Sequence, residues 1–305
     1  MTERMILVEQ GISVTKSIRI SPYLRLMRPQ QWTKNAIVFA GVLFSGQVGQ
    51  PSAVASAALA FVAFCLVSSA VYVFNDWHDR EEDRLHPTKC WRPIAARQVS
   101  PAAALVLASA LLTLALTVSV WVSPDLLFVV GAYALLMVAY TLWLRQEAIL
   151  DLLAIAAGFV LRAWAGAVAV DVPLSNWLFL CTMLLALFLG LGKRRHELRM
   201  LHDEVAHHRP SLVGYRKLDL DWVIVTVAMV TVLAYAFYAL TIPSYGRSLS
   251  MVITVPFVVA GIGRYLYLIL RRNLGGSPES LLLRDRPLFV SILLWVLAVG
   301  LVLTS

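Results

Sequence analysis

The stretch "VYVFNDWHDREEDRLHPTKCWRP", Val71 to Pro93, joins an apolar run to five acidic residues within eight positions, then adds Lys89 and Arg92. Carboxylates at the end of a buried segment are costly to take out of water. The apolar side of this junction decides the fold, and the charged side points to the chemistry.

Outward from that junction the chain is unusually apolar. Of its 305 residues, 59% are hydrophobic and 14% charged, whereas a soluble domain carries about 25% charged residues. The apolar residues gather in blocks of roughly twenty, the length an α-helix needs to cross a hydrocarbon core about 30 Å thick. Nine blocks are predicted, at 36–51, 54–75, 101–121, 125–143, 148–169, 175–192, 221–242, 249–269 and 286–304. The expected fold is therefore an all-α integral membrane protein with nine transmembrane helices. Residues 1–35 read as a polar, basic N-terminal segment without the pattern of a cleaved signal peptide, and 36–305 as a single transmembrane domain. The first block is interrupted by "FSGQVGQPS", and the fifth carries Asp151 and Arg162.

The basic residues give an independent reading of topology. Of 26 Lys and Arg, all but the intramembrane Arg162 and Arg247 fall on one side when the nine blocks are threaded in alternation. The positive-inside rule places that side, with the N-terminus, in the cytoplasm. The net charge of +8 is then mostly topology, and it gives no support for nucleic-acid binding. Three cysteines without metal or disulfide spacing carry no assigned role. A homo-oligomer is compatible with such a chain, whose sequence leaves no trace of its size.

If the second helix continues past the membrane face, Asp76, Asp79 and Asp83 at i, i+3 and i+7 share one stripe, flanked by Asn75. A solvated helix end would explain acidic residues, but converging carboxylates repel one another and favour a bound cation. Oxygen ligands alone suit magnesium, which is usually completed by waters and substrate phosphates. Lys89 and Arg92 then become candidates for the outer oxygens of such a phosphate.

A second cluster, "LGLGKRRHEL" (Leu189–Leu198), ends the sixth block on the same membrane side. On a helix Glu197 falls between Lys193 and Arg194, so these three converge, while Arg195 and Arg199 read as snorkelling anchors. Lys34, in "RPQQWTKN" (Arg28–Asn35), stands at the start of the first block. Arg162 is an intramembrane charge that calls for an anion from another helix or from a substrate. The run "HDEVAHH" (His202–His208) reads as a solvated loop.

The pattern NDxxDxxxD, met by Asn75, Asp76, Asp79 and Asp83, resembles the UbiA superfamily of intramembrane prenyltransferases. With "RPQQWTKN", "HPTKCWRPIA", "YTLWLRQEAILDLLAIAAGFVLRAWAG", "GKRRHEL" and "SPESLLLRDRPL", the chain looks like the decaprenyl-phosphate phosphoribosyltransferase branch. That resemblance implies a UbiA-like bundle with a cytoplasmic-side cavity, Mg2+ on Asp76, Asp79 and Asp83, phosphoribosyl pyrophosphate as donor and a polyprenyl phosphate as acceptor. It adds Tyr140 to a substrate-binding set of Asn75, Lys34, Lys89, Arg92, Arg162, Lys193, Arg194 and Glu197. Prenyl-transferring relatives resemble one another in a second aspartate-rich motif on the sixth helix, where this chain reads Gly192 to Glu197. One acidic wall has become mainly basic, which suits a donor richer in phosphate. The competing expectations are prenyl transfer to an aromatic acceptor and a transporter. A transporter would break its helices at the midplane, whereas these clusters gather at one face.

Overall fold

The computed structural model describes residues 21–201, 211–215, 218–241 and 250–304. The run His202–His208, Arg247 and most of the N-terminal segment lie outside the described residues.

A short helix α1 (Pro22–Met27) leads into a 3-10 segment, Pro29–Phe39, continued by α2 (Ala40–Phe44). Then come α3 (Pro51–His78), α4 (Arg80–Leu85), α5 (Pro101–Val122), α6 (Pro124–Leu142), α7 (Ala148–Ala169) and α8 (Asn176–Leu201). The chain closes with α9 (Ser211–Tyr215), α10 (Leu220–Thr241), α11 (Val255–Arg272), α12 (Pro278–Arg284) and α13 (Arg286–Thr304). Among the described residues, eight helices are long and apolar enough to cross a membrane. Their starts follow local rules. α5 and α6 both open with Ser-Pro, the serine oxygen accepting from Ala103 N at 3.2 Å or Leu126 N at 3.0 Å. Proline at the first helical position needs no hydrogen-bond partner for its nitrogen.

The first predicted block is the one that differs. Its start continues a 3-10 helix that begins ahead of it at Pro29, and the 11 residues of that helix at about 2.0 Å each reach about 22 Å. With five more α-helical residues, the segment covers about 30 Å, close to a full crossing. The segment is closely packed. A Cβ on Gly166 of α7 would lie 1.8 Å from the Val38 carbonyl oxygen, and one on Gly41 would lie 2.2 Å from the Gly166 backbone. Such approach is open to glycine alone.

In the α3 and α7 spans, 56% of each is buried, against 17% for α13, so these two helices form the centre. Their buried positions are rich in alanine, including Ala57, Ala60, Ala63, Ala154, Ala163 and Ala165, as packing between membrane helices favours. Outward-facing Val106, Leu114, Phe128, Leu135, Leu233 and Phe237 are exposed and suit lipid. At 28 residues, α3 is about 42 Å long and α8, at 26 residues, about 39 Å. Both outrun the hydrocarbon layer and carry their charged ends beyond it, at one face of the bundle.

Candidate active site

The acidic end of α3 is folded rather than straight. α3 stops at His78, Asp79 adopts φ −85 and ψ 3, and α4 begins at Arg80. A straight helix would separate Asp76 and Asp83 by about 10 Å along its axis. The bend instead lets both carboxylates reach one atom: Arg92 Nη1 lies 3.1 Å from Asp76 Oδ1 and 2.7 Å from Asp83 Oδ2. A cationic nitrogen thus sits between two buried carboxylates, where a small divalent cation would find the same oxygen donors.

Asp79 is turned elsewhere, which corrects the expectation of three converging aspartates. Arg145 donates to its two oxygens at 2.7 and 2.8 Å, and His78 Nδ1 lies at 2.9 Å. Burial pushes the Asp79 carboxyl up, but Arg145 and His78 outweigh it and hold it below the ordinary aspartate range. Among the described residues no three acidic, histidine or cysteine side chains form a metal cage by themselves. Asn75 Oδ1 accepts from the Thr141 hydroxyl at 3.4 Å. Lys89 stands exposed in the turn Lys89–Trp91.

The 3-10 segment connects this acidic wall to the other half of the bundle. In a 3-10 helix side chains three apart eclipse one another, so Arg28, Gln31 and Lys34 share one edge and Trp32, Asn35 and Val38 another. Along the first edge Arg28 bonds Asp76 and stacks 5.1 Å over the Tyr72 ring, Gln31 donates to Glu279 Oε1 at 2.9 Å, and Lys34 lies 3.6 Å from Glu279 Oε2. Arg28 has φ 50, a left-handed conformation uncommon for a side-chain-bearing residue, at the corner where α1 turns into the 3-10 helix. Along the second edge Trp32 donates to the Ser69 hydroxyl at 3.0 Å and Asn35 Nδ2 to the Ser68 hydroxyl at 3.2 Å.

Arg162 meets no carboxylate among the described residues, so of the two expected sources of an anion, another helix is not the one the structure supplies. Its three nitrogens donate to Asn35 Oδ1 at 2.7 Å, the Gly158 carbonyl at 2.8 Å and the Tyr133 hydroxyl at 2.7 Å. The Tyr133 and Phe159 rings flank the guanidinium at 4.6 and 5.3 Å. Neutral acceptors and ring faces suffice for a guanidinium, which is weakly hydrated and disperses its charge. It still acts electrostatically on Lys34 and Tyr72, so its charge belongs to the field of the site.

The basic cluster on α8 divides. Arg194 is buried, pairing with Glu197 and, through Nε at 2.7 Å, with Asp151 Oδ2 on α7. Tyr140, at the end of α6, donates to the other Asp151 oxygen at 2.8 Å. Arg194, Tyr140 and Glu197, expected to bind substrate, here gather around Asp151, with Arg194 and Asp151 buried and Tyr140 and Glu197 part-buried. Arg195 is not a snorkelling anchor either: it is buried, bonds Asp221 on α10, and donates to the Ile269 carbonyl at 2.6 Å. Lys193 is only part-buried and acts electrostatically on Glu279.

The wide set of helices with two charged ends at one face agrees with a known profile. The UbiA prenyltransferase family profile matches residues 36–293. The chain belongs to the UbiA prenyltransferase family. This UbiA family member is 35% identical to the decaprenyl-phosphate phosphoribosyltransferase of Mycolicibacterium smegmatis over 92% of both chains. It is also 35% identical to the protein of that name from Mycobacterium tuberculosis, over 92% of this chain and 94% of the relative. Its fold is similar to that of a UbiA homolog from Archaeoglobus fulgidus bound to GPP and Mg2+, with TM-score 0.72, 19% identity, and coverage of 93% of this chain and 99% of that one.

Sequence reasoning did not single out Arg28, Gln31, Arg145 and Glu279, which the structure brings to this candidate site. The signal for the first two was the spacing of three between Arg28, Gln31 and Lys34, which only a 3-10 reading brings together. No sequence pattern links Arg145 to Asp79 or Glu279 to Lys34, because those pairs join distant elements.

Proposed function

We propose that the protein transfers the 5-phosphoribosyl group of phosphoribosyl pyrophosphate to a polyprenyl (decaprenyl) phosphate, releasing pyrophosphate. The observation that carries this reading is that Asp76 and Asp83 converge beside one end of the Arg28–Gln31–Lys34 edge, while Lys34 and Lys193 gather at Glu279 beside the other. A prenyl diphosphate needs little beyond its metal-bound diphosphate, whereas a donor with a separate 5-phosphate needs cations apart from the metal-binding carboxylates, and the two lysines supply them. The names of the relatives at 35% identity support the same reading.

In this proposal Asp76 and Asp83 would hold Mg2+, since magnesium is commonly bound by one or two carboxylates plus substrate phosphates. Bound there, it supplies Lewis-acid stabilisation of the departing pyrophosphate. Arg92 and Arg28, which pair with these carboxylates, would then be available to phosphate oxygens, and Asp79 with Arg145 would fix the bend that sets the pair. Lys34 and Lys193 neutralise the 5-phosphate, with Arg162 adding its field from behind. The bond from ribosyl C1 to the pyrophosphate oxygen breaks, and a bond from C1 to an oxygen of the lipid phosphate forms. That oxygen is already ionised, so no side chain has to remove a proton, and catalysis is positioning and charge stabilisation.

The site would face the cytoplasm in the cell membrane, with residues 1–35 on that side and 36–305 acting as one transmembrane unit. The product would be a precursor of cell-wall arabinan. The test is purified enzyme with magnesium, labelled phosphoribosyl pyrophosphate and a polyprenyl phosphate, beside Asp76→Asn and Lys193→Ala. Labelled lipid from the parent, lost in both variants, is the expected result. Turnover of a prenyl diphosphate with an aromatic acceptor instead would sink the ribosyl reading.

A further inference from the structure

Phosphate chemistry alone does not explain Glu279. It stands at the start of α12, where Gln31 donates to Oε1 at 2.9 Å and Lys34 lies 3.6 Å from Oε2. Lys193 on α8 is close enough to act on the same carboxylate, and burial, which raises its pKa, is outweighed by these cations and by Gln31. The group therefore stays ionised among cations from both halves of the bundle. A carboxylate there repels every phosphate oxygen the cations attract, and it can only accept hydrogen bonds.

The chemistry that reconciles a carboxylate with that place is a ligand carrying hydroxyl donors as well as phosphates. Gln31, Lys34 and its own backbone N–H still leave the carboxylate room for a further donor, since it offers about four lone-pair positions. A second observation points the same way. The Tyr265 hydroxyl on α11 is buried with no hydrogen-bond partner among the described residues, and it lies within the electrostatic reach of Glu279. Its ring is beside Gly192, the residue before Lys193. A buried hydroxyl left unpaired is costly, and a polyol beside Glu279 would pair with both groups.

We propose that Glu279 is a specificity-determining residue that accepts a hydrogen bond from a ribose hydroxyl of the donor, with Tyr265 as its neighbour on the sugar. This rests on the ribosyl-transfer reading. A prenyl chain offers no hydroxyl, so the carboxylate selects for a sugar donor at the same time as it selects among sugars.

The test is competition against labelled phosphoribosyl pyrophosphate by ribose 5-phosphate, its 2-deoxy and 3-deoxy analogues, and inorganic pyrophosphate. It is run with the parent enzyme, Glu279→Ala and Glu279→Gln. The parent is expected to prefer ribose 5-phosphate over at least one deoxy analogue by about tenfold or more, the scale of a hydrogen bond to a charged group. In Glu279→Ala that ratio falls to within about twofold, while pyrophosphate inhibits as well as before or better, because a repelling charge is gone. Glu279→Gln, which keeps an acceptor oxygen, retains part of the ratio. The proposal is overturned if the parent does not discriminate, or if Glu279→Ala keeps the full ratio. It is equally overturned if pyrophosphate inhibition weakens in step, the mark of a residue that merely ties α12 to the 3-10 segment. A parent enzyme that makes no labelled lipid fails the ribosyl-transfer reading itself and takes this inference with it.

Discussion

The ends of α3 and α8 occupy corresponding places four spans apart, yet they neutralise charge in opposite ways. At the end of α3 the buried partners are aspartates, and their counter-ions Arg28, Arg92 and Arg145 are half-open, with side chains 27%, 24% and 23% exposed. At the end of α8 the pair Arg194–Asp151 is 1% and 0% exposed. Cations that already touch water can be exchanged for a ligand at small cost, whereas a fully buried pair cannot separate without leaving a bare charge. The first end is built for exchange and the second for permanence.

The sharpest way to break that contrast is Arg194→Ala. Removing one partner of a buried pair costs about 3–5 kcal/mol, so a large loss of thermal stability is expected. The double variant Asp151→Leu with Arg194→Met should recover most of it. Equal damage in the single and double variants would show that the pair is not the stabilising unit.

Next in size are Asp76→Asn and Asp83→Asn. Each should lower turnover by about 100-fold or more, the scale of one lost electrostatic contact to the reacting group, with little change in melting temperature. Asp79→Asn should cost clearly less. Three equal losses would restore the stripe of three equivalent ligands and undo the division into a pair and a single.

Smaller again is Arg145→Ala. Arg145 is part-exposed but Asp79 is buried, so the stability loss should fall between about 1 kcal/mol for a screened surface pair and about 3 kcal/mol for a buried one, measurable by denaturant titration in detergent. The smallest effect is in pH. The folded-state pKa of Asp79 is depressed, so its contribution is fully present above the ordinary aspartate value of 3.8 and is lost as pH falls through the lower folded value. The parent should lose stability more steeply than Asp79→Asn over that acid range and match it in slope near neutrality.

Much of the fold was legible because hydropathy blocks and membrane thickness are the same constraint. The helices after the first block lie within a few residues of their expected bounds, except where α3 and α8 run on into charged sequence and α11 starts late. Asp76, Asp83, Lys34 and Lys193, singled out by residue type, do stand together around the 3-10 edge and Glu279. The site was misread where angular arithmetic assumed an unbroken α-helix. The bend at Asp79 exchanged three convergent aspartates for two, and the 3-10 segment gathered Arg28, Gln31 and Lys34. Arg194 was misread for a different reason: its partner Asp151 sits 43 residues away, and only tertiary packing reveals that an apparent ligand is already committed.

The contact of Val38 and Gly41 with Gly166 makes chain length, as well as composition, a functional variable. From that fixed mark the polar edge is reached in steps of three, so every residue between them counts as about 120° of phase. Inserting or deleting one residue there would leave the hydropathy profile almost unchanged and rotate the whole edge away from both walls. Substitutions along this stretch can therefore drift, while its length cannot.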